Sequence, residues 1–134
     1  MKKAKVNYTY AIGRRRESSA RVRLYTGKGE STVNGKMIDD YFPGRIMEEK
    51  YLMPFRVCEV SGKYYITVKV IGGGKVGQLD SMVLGTARAL SRIKADYRAL
   101  LKKAGLLTRD PRIRERRMVG TGGKSRRQKQ SPKR

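Results

Sequence analysis

Tyr64-Tyr65-Ile66-Thr67-Val68-Lys69-Val70-Ile71 runs directly into Gly72-Gly73-Gly74-Lys75-Val76-Gly77-Gln78 and then into Leu79. In the first half Tyr64, Ile66, Val68 and Val70 alternate with Tyr65, Thr67, Lys69 and Ile71, so the spacing predicts a strand. Past the glycines the repeat widens. Leu79, Met82, Val83, Thr86, Leu90 and Ile93 fall on the inner side of a long amphipathic helix, with Arg88 and Arg92 pointing out. A second helix is expected over residues 96–104, with Tyr97, Leu100 and Leu101 inward. Lys102 and Lys103 sit in its last turn, and Gly105 ends it. A strand, a glycine turn and two helices place the chain among α+β folds.

Upstream, residues 5–12 alternate: Val6, Tyr8, Tyr10 and Ile12 form the apolar face of a half-buried strand, with Lys5, Asn7, Thr9 and Ala11 opposite. Residues 20–26 alternate too, Ala20, Val22 and Leu24 against Arg21, Arg23 and Tyr25. Between them Gly13-Arg14-Arg15-Arg16-Glu17-Ser18 reads as a basic turn, so the pair forms an antiparallel hairpin with arginines on one face. Ser31-Thr32-Val33 is a short strand closed by Asn34-Gly35, a strong turn signal. Residues 37–60 are less regular. Asp39 and Asp40 suit a helix start, Pro43-Gly44 breaks the chain, and Met53, Val57 and Val60 fit helical spacing. Phe55 to Val60 fits a strand as well; short helices are expected here. The sum is a small, mostly antiparallel sheet with helices packed on one face.

The last stretch, from Thr108, reads TRDPRIRERRMVGTGGKSRRQKQSPKR. It holds eleven basic and two acidic residues, and no acid follows Glu115. Met118 and Val119 are its last large apolar side chains. Such a segment buries too little surface to offset the entropy of ordering its backbone. Its charge fits a polyanion, and arginine forks match phosphate oxygens. We therefore divide the chain into a globular RNA-binding body (residues 1–107) and a basic tail (108–134) that orders on RNA. The whole chain has 33 Lys+Arg against 11 Asp+Glu, a net charge of +22, so the body is basic as well. With one cysteine, Cys58, and no histidine, an internal disulfide and the usual zinc sites are excluded. No apolar run is long enough to span a membrane, and the start lacks the apolar core of a secretory signal. A cytoplasmic location is the expectation.

The motifs favour binding over catalysis. Gly72-x-Gly74-x-x-Gly77 matches a dinucleotide fingerprint in form, but the parallel strand that must follow the helix is missing. A tight backbone path between strand and helix explains the glycines; their amides could also meet an RNA phosphate. Asp39-Asp40 and Glu48-Glu49 read as helix-start or solvated charges rather than a metal-dependent nuclease site, and Cys58 as a core residue. Arg14, Arg15 and Arg16, joined to Arg21 and Arg23, form a phosphate-gripping surface. Tyr8, Tyr10, Tyr25, Tyr64 and Tyr65 read more as core or sheet packing than as base-stacking rings. No enzyme activity and no cofactor are expected. A basic nucleic-acid packaging protein is the alternative function.

Several blocks in order carry a family resemblance. Gly13-Arg14-Arg15-Arg16 with Ala20-Arg21-Val22-Arg23-Leu24 resembles the opening of bacterial small-subunit ribosomal protein nine. Gly72-Gly73-Gly74-x-x-Gly77-Gln78, with Ser81, Gly85, Arg88, Ala89 and Leu90, is similar to that family's signature. Leu107-Thr108-Arg109-Asp110-Pro111-Arg112 and Glu115-Arg116-Arg117 resemble its approach to the tail, and Lys133-Arg134 its end. The resemblance implies a ribosomal-protein-type α+β fold, with a four-stranded sheet, a left-handed crossover and an extended basic tail. It implies a structural role in the head of the small ribosomal subunit. The partners would be small-subunit rRNA, neighbouring ribosomal proteins of the head and, at the tail tip, tRNA in the peptidyl site. The RNA-binding residues are then expected to be Arg14, Arg15, Arg16, Arg21, Arg23, Arg109, Arg112, Arg114, Arg116, Arg117, Lys124, Arg126, Arg127 and Lys129. Lys133 and Arg134 are expected to touch tRNA. Ser131-Pro132 departs from the aromatic residue and serine found there in many bacterial members.

Overall fold

The computed structural model describes residues 7–123 and 127–133. Along the chain come β1 (Tyr8–Arg15), β2 (Ser18–Thr26), β3 (Thr32–Val33), β4 (Lys36–Met37), α1 (Ile38–Tyr41), α2 (Arg45–Val57), β5 (Tyr64–Ile71), α3 (Lys75–Ile93) and α4 (Ala95–Lys103). The strands form one sheet in the order β1-β2-β5-β3-β4. Only β3 and β5 run parallel, joined by a crossover through β4, α1 and α2. The fold is α+β with a mostly antiparallel sheet, as the sequence predicts. Among the described residues its strands number five rather than four, because Asn34-Gly35, both at positive φ, turns β3 back into the two-residue β4.

The register of β1, β2 and β5 sorts the side chains into two faces. Ala11, Ala20, Val22, Leu24, Ile66, Val68 and Val70 are all buried on the helix side. On β1 this reverses the expected sidedness. Ala11 and Gly13 face the core, while Tyr8, Tyr10 and Ile12 share the open face with Arg21 and Arg23. Lys5 and Val6 lie outside the described residues. The reason is the depth to which α3 presses on β1. A Cβ on Gly13 would stand 1.8 Å from the Ser81 carbonyl oxygen and 2.4 Å from the Gly85 amide nitrogen. One on Gly85 would meet Val22 at 2.7 Å. Only small residues fit where helix and sheet backbones nearly touch. The hairpin turn is also tighter than expected. Gly13, Arg14 and Arg15 pair with Ala20, Ser19 and Ser18, which leaves Arg16-Glu17 as the turn, with Arg16 at φ 53°.

β3 is too short to pair the far end of β5, and the Asn34 side chain takes over. Its Oδ1 accepts from the Val70 amide at 2.9 Å and its Nδ2 donates to the Val70 carbonyl at 3.1 Å. Both polar groups of a buried residue are thereby satisfied.

α3 begins at Lys75, earlier than the apolar periodicity suggests, and lies between the sheet on one side and α2 and α4 on the other. This central position buries Leu84, Ala87 and Ala89 along with Leu79, Met82, Thr86 and Leu90 of the predicted stripe, while Val83 and Ile93 are half-buried. α2 is a single helix of 13 residues that runs through Pro54, so the strand alternative for residues 55–60 is not realised. It closes with the Glu59 amide donating to the Arg56 carbonyl and the Val60 amide to that of Phe55, with Glu59 at φ 55°. This is a Schellman cap with glutamate where glycine is usual. α4 ends in the same motif, with Gly105 at φ 75° and the Leu106 amide bonded to the Leu101 carbonyl at 3.0 Å. Leu101 is buried, but Leu100, expected inward, is exposed.

Candidate nucleic-acid interface

Past the Schellman turn at Gly105, Leu106 and Leu107 pack against the core, and by Asp110 the chain meets Arg15 at the end of β1. From Arg109 to Gly123 the backbone has neither helix nor strand. Asp110 fixes the start of this segment. Its carboxylate lies 2.6 Å from Arg15 Nη1, and Arg112 grips it through Nε at 3.0 Å and Nη2 at 2.7 Å. The Arg112 amide adds a bond at 3.0 Å. The Arg112 hydrogen bonds, with Arg15 nearby, hold the Asp110 carboxyl far below the usual carboxylate range. Arg15 also reaches Asp80 on α3 at 3.5 Å, so one guanidinium joins hairpin, helix and tail root. Its Nε is buried without a partner.

The other predicted residues are presented to solvent. Arg16 lies exposed in the hairpin turn and Arg14 exposed near the end of β1, and Arg21 and Arg23 stand exposed on the open face of β2. Arg109, Arg112, Arg114, Arg116 and Arg117 are exposed along the extended segment, as are Arg127, Lys129 and Lys133. Lys124, Arg126 and Arg134 lie outside the described residues. Apart from the Arg112–Asp110 pair, the tail makes little use of its own polarity: Thr121 bonds Met118, and Lys129 donates to Gly120. Val119 is 91% exposed. A row of unburied cations on an extended backbone can follow a chain of phosphates.

The glycine run serves packing. Gly72 and Gly73 have φ 74° and 62°, and a Cβ on them would strike Glu17 O at 2.5 Å and Ser18 Oγ at 2.1 Å. They let the start of α3 close over the hairpin end. Ser18 Oγ and Gln78 Nε2 both donate to the Gly72 carbonyl, at 3.0 and 3.1 Å. Tyr41 donates to Gln78 Oε1 at 2.7 Å, tying in α1.

Arg88 is half-buried rather than turned outward, while Arg92 stays exposed as expected. They fold over the free edge of β1, where Arg88 donates to the Ile12 carbonyl at 2.8 Å and Arg92 to that of Tyr10. Arginine thus satisfies the acceptors of an edge strand. Sequence reasoning missed this cover and the Asp110 clamp; an acid standing in a basic stretch, Arg109-Asp110-Pro111-Arg112, was the available signal for the second. The acidic pairs form no catalytic cluster: Asp39 accepts from Tyr51, and Glu49 pairs with Arg45. Among the described residues no group of three or more His, Cys, Asp or Glu could hold a metal. Nor is any described helix long and apolar enough to cross a membrane.

Comparison with known proteins agrees with this arrangement. Residues 13–134 match the family described as Ribosomal protein S9/S16. A protein of Maridesulfovibrio salexigens named Small ribosomal subunit protein uS9 is 44% identical over 117 residues, covering 87% of this chain and 90% of the relative. Proteins of the same name from Renibacterium salmoninarum and Leifsonia xyli subsp. xyli are 44% and 45% identical over 111 residues, 82% of this chain and 66% of theirs. A match that starts at Gly13, where α3 meets the sheet, and runs through the clamped tail assigns this chain to the ribosomal protein S9/S16 family.

Proposed function

We propose that this chain is a structural constituent of the small ribosomal subunit. In this reading the body, residues 1–107, docks on small-subunit rRNA in the head, beside other ribosomal proteins. The tail, residues 108–134, orders along rRNA and brings Lys133 and Arg134 to tRNA in the peptidyl site. The ribosome would carry the protein in the cytoplasm. The observation that supports this most is the tail itself: exposed cations on an irregular backbone, anchored at a defined root by Arg15 and Asp110. Arg14, Arg16, Arg21, Arg23 and the tail arginines would take phosphates. Arg15 and Arg112 would hold the tail root, with Arg112, 78% exposed, still open to a phosphate on its outer side.

Neutralising roughly eight phosphates gives a slope of about −6 to −7 for log K against log salt on small-subunit rRNA. A slope near about −2 would mean that most of the cations stay solvated. Sedimentation with small subunits through a high-salt gradient separates a ribosomal role from nucleic-acid packaging; recovery with bulk nucleic acid instead would overturn the ribosomal reading. Removal of Lys133 and Arg134 should leave assembly intact and weaken peptidyl-site tRNA binding by about 1–2 kcal/mol. Equal tRNA affinity in the two forms would remove the tip contact.

A further inference from the structure

We infer that the open face of the sheet is a second RNA surface, one that takes unpaired bases by stacking. The inference rests on the RNA-binding reading above but concerns a different part of the molecule from the tail. The register places four cross-strand rows on this face: Tyr8–Tyr25–Tyr65, Tyr10–Arg23–Thr67, Ile12–Arg21–Lys69 and Arg14–Ser19–Ile71. These rows carry four cations and no carboxylate. The first row is already a stack. Tyr25 and Tyr65 are parallel within 11° at 5.0 Å, Tyr8 leans on Tyr25 at 5.5 Å, and Arg23 lies over Tyr8 at 5.2 Å. Gly29 closes the outer side of Tyr65, since a Cβ there would stand 2.8 Å from its ring. Next to this packed row Tyr10 is 39% exposed, and Ile71 at the opposite corner is 53% exposed.

The arrangement selects its occupant. A protein interface keeps charge at its rim and apolar side chains at its centre. Here Arg21 and Arg23 on β2 and Lys69 on the central β5 run down the middle of the face, with the exposed Tyr10 ring and the tyrosine row beside them. Central cations next to flat rings suit a polyanion that also offers π-faces. Paired RNA keeps its bases stacked on one another and its deep groove shut to side chains, so only unpaired nucleotides can use the rings.

The test uses the full chain with two probes: oligouridine of about twelve nucleotides, within the footprint of sheet-type binders, and an RNA duplex of similar length. One variant combines Tyr10→Ser, Arg21→Gln, Arg23→Gln and Lys69→Gln; a second combines Arg114→Ala, Arg116→Ala, Arg117→Ala and Arg127→Ala. The sheet-face variant should lose oligouridine affinity on the order of tenfold or more and duplex affinity less than about threefold. The tail variant should weaken both probes. Equal losses on the two probes, or none, for the sheet-face variant while the tail variant still weakens both would overturn the stacking surface and leave the RNA-binding reading standing. If neither variant changes either probe, the RNA-binding reading itself fails. Should the fourfold variant unfold, Tyr10→Phe and Tyr10→Ala replace it: phenylalanine should keep oligouridine binding and alanine lose it, and equal behaviour of the two refutes stacking. Thiouridine crosslinks from the probe should fall on Tyr10 or its row neighbours. A face occupied by a second copy of the chain would appear as a dimer abolished by the same variant, and that result also overturns the inference.

Discussion

Gly13→Ala is the sharpest test of how the body is built. The added methyl would sit 1.8 Å from the Ser81 carbonyl oxygen and 2.4 Å from the Gly85 amide nitrogen, where real Cβ contacts essentially never fall below 3.0 Å. Both obstacles are backbone atoms of α3, so no side chain can swing away. The helix must retreat by more than 1 Å at that point, and it is the element on which sheet, α2 and α4 all pack. Overpacking a core typically costs about 1–3 kcal/mol. A forced backbone shift belongs at the top of that range or above it, so we expect a loss of about 3 kcal/mol or more. For a body of this size each kcal/mol moves the melting temperature by about 4–8 °C, which gives a drop of roughly 12–24 °C. Thermal unfolding followed by circular dichroism at fixed salt measures it. Gly74→Ala is the control, because a Cβ there meets nothing within 4 Å and φ is −103°; as the N-cap of α3 it should cost no more than about 1 kcal/mol. If Gly13→Ala melts with the wild type, α3 does not lie against β1 as described.

Three further outcomes follow from the same contacts. Glu59→Gly should raise stability by about 0.5–1 kcal/mol, because glycine relieves the left-handed backbone at the α2 cap; chemical denaturation reads the gain, and a loss would show that the Glu59 side chain matters more than its φ. Asn34→Ala should destabilise by about 1–3 kcal/mol, since it strips both partners from the Val70 peptide; an unchanged unfolding midpoint would mean that water replaces the carboxamide without loss. Asp110 is held ionised, so its docking contribution is complete at neutral pH, begins to fall as pH drops through the ordinary carboxylate range and is gone once pH reaches its depressed folded value. Asp110→Asn should therefore weaken at pH 7 the exchange protection of the Arg112 amide, a loss of protection that the wild type shows only in acid. Identical exchange in the two proteins would sink the clamp.

The parts of this molecule that were readable in sequence are those where one local rule acts alone. β5 and the outward arginines of β2 follow strict alternation, and the exposed tail follows from composition. The misreadings arise where a distant partner decides. The large residues of β1 turned outward because α3 leaves space only for Ala11 and Gly13 beneath it. Arg88 looked solvent-facing, but the edge of β1 supplies it with a carbonyl acceptor. At the candidate site, the exposed cations could be read one residue at a time. Arg15 could not, because its role depends on Asp80 and Asp110, far apart along the chain.

The anchoring of Asp110 also fixes the point from which everything beyond it departs. Fully extended at about 3.3 Å per residue, the chain from Asp110 to Lys133 would reach roughly 75 Å. As a flexible chain its ends would lie only about 25–30 Å apart on average. The arginine fork and carboxylate at the base therefore act as a mooring: they set the centre of the volume the arm explores before a polyanion draws it out.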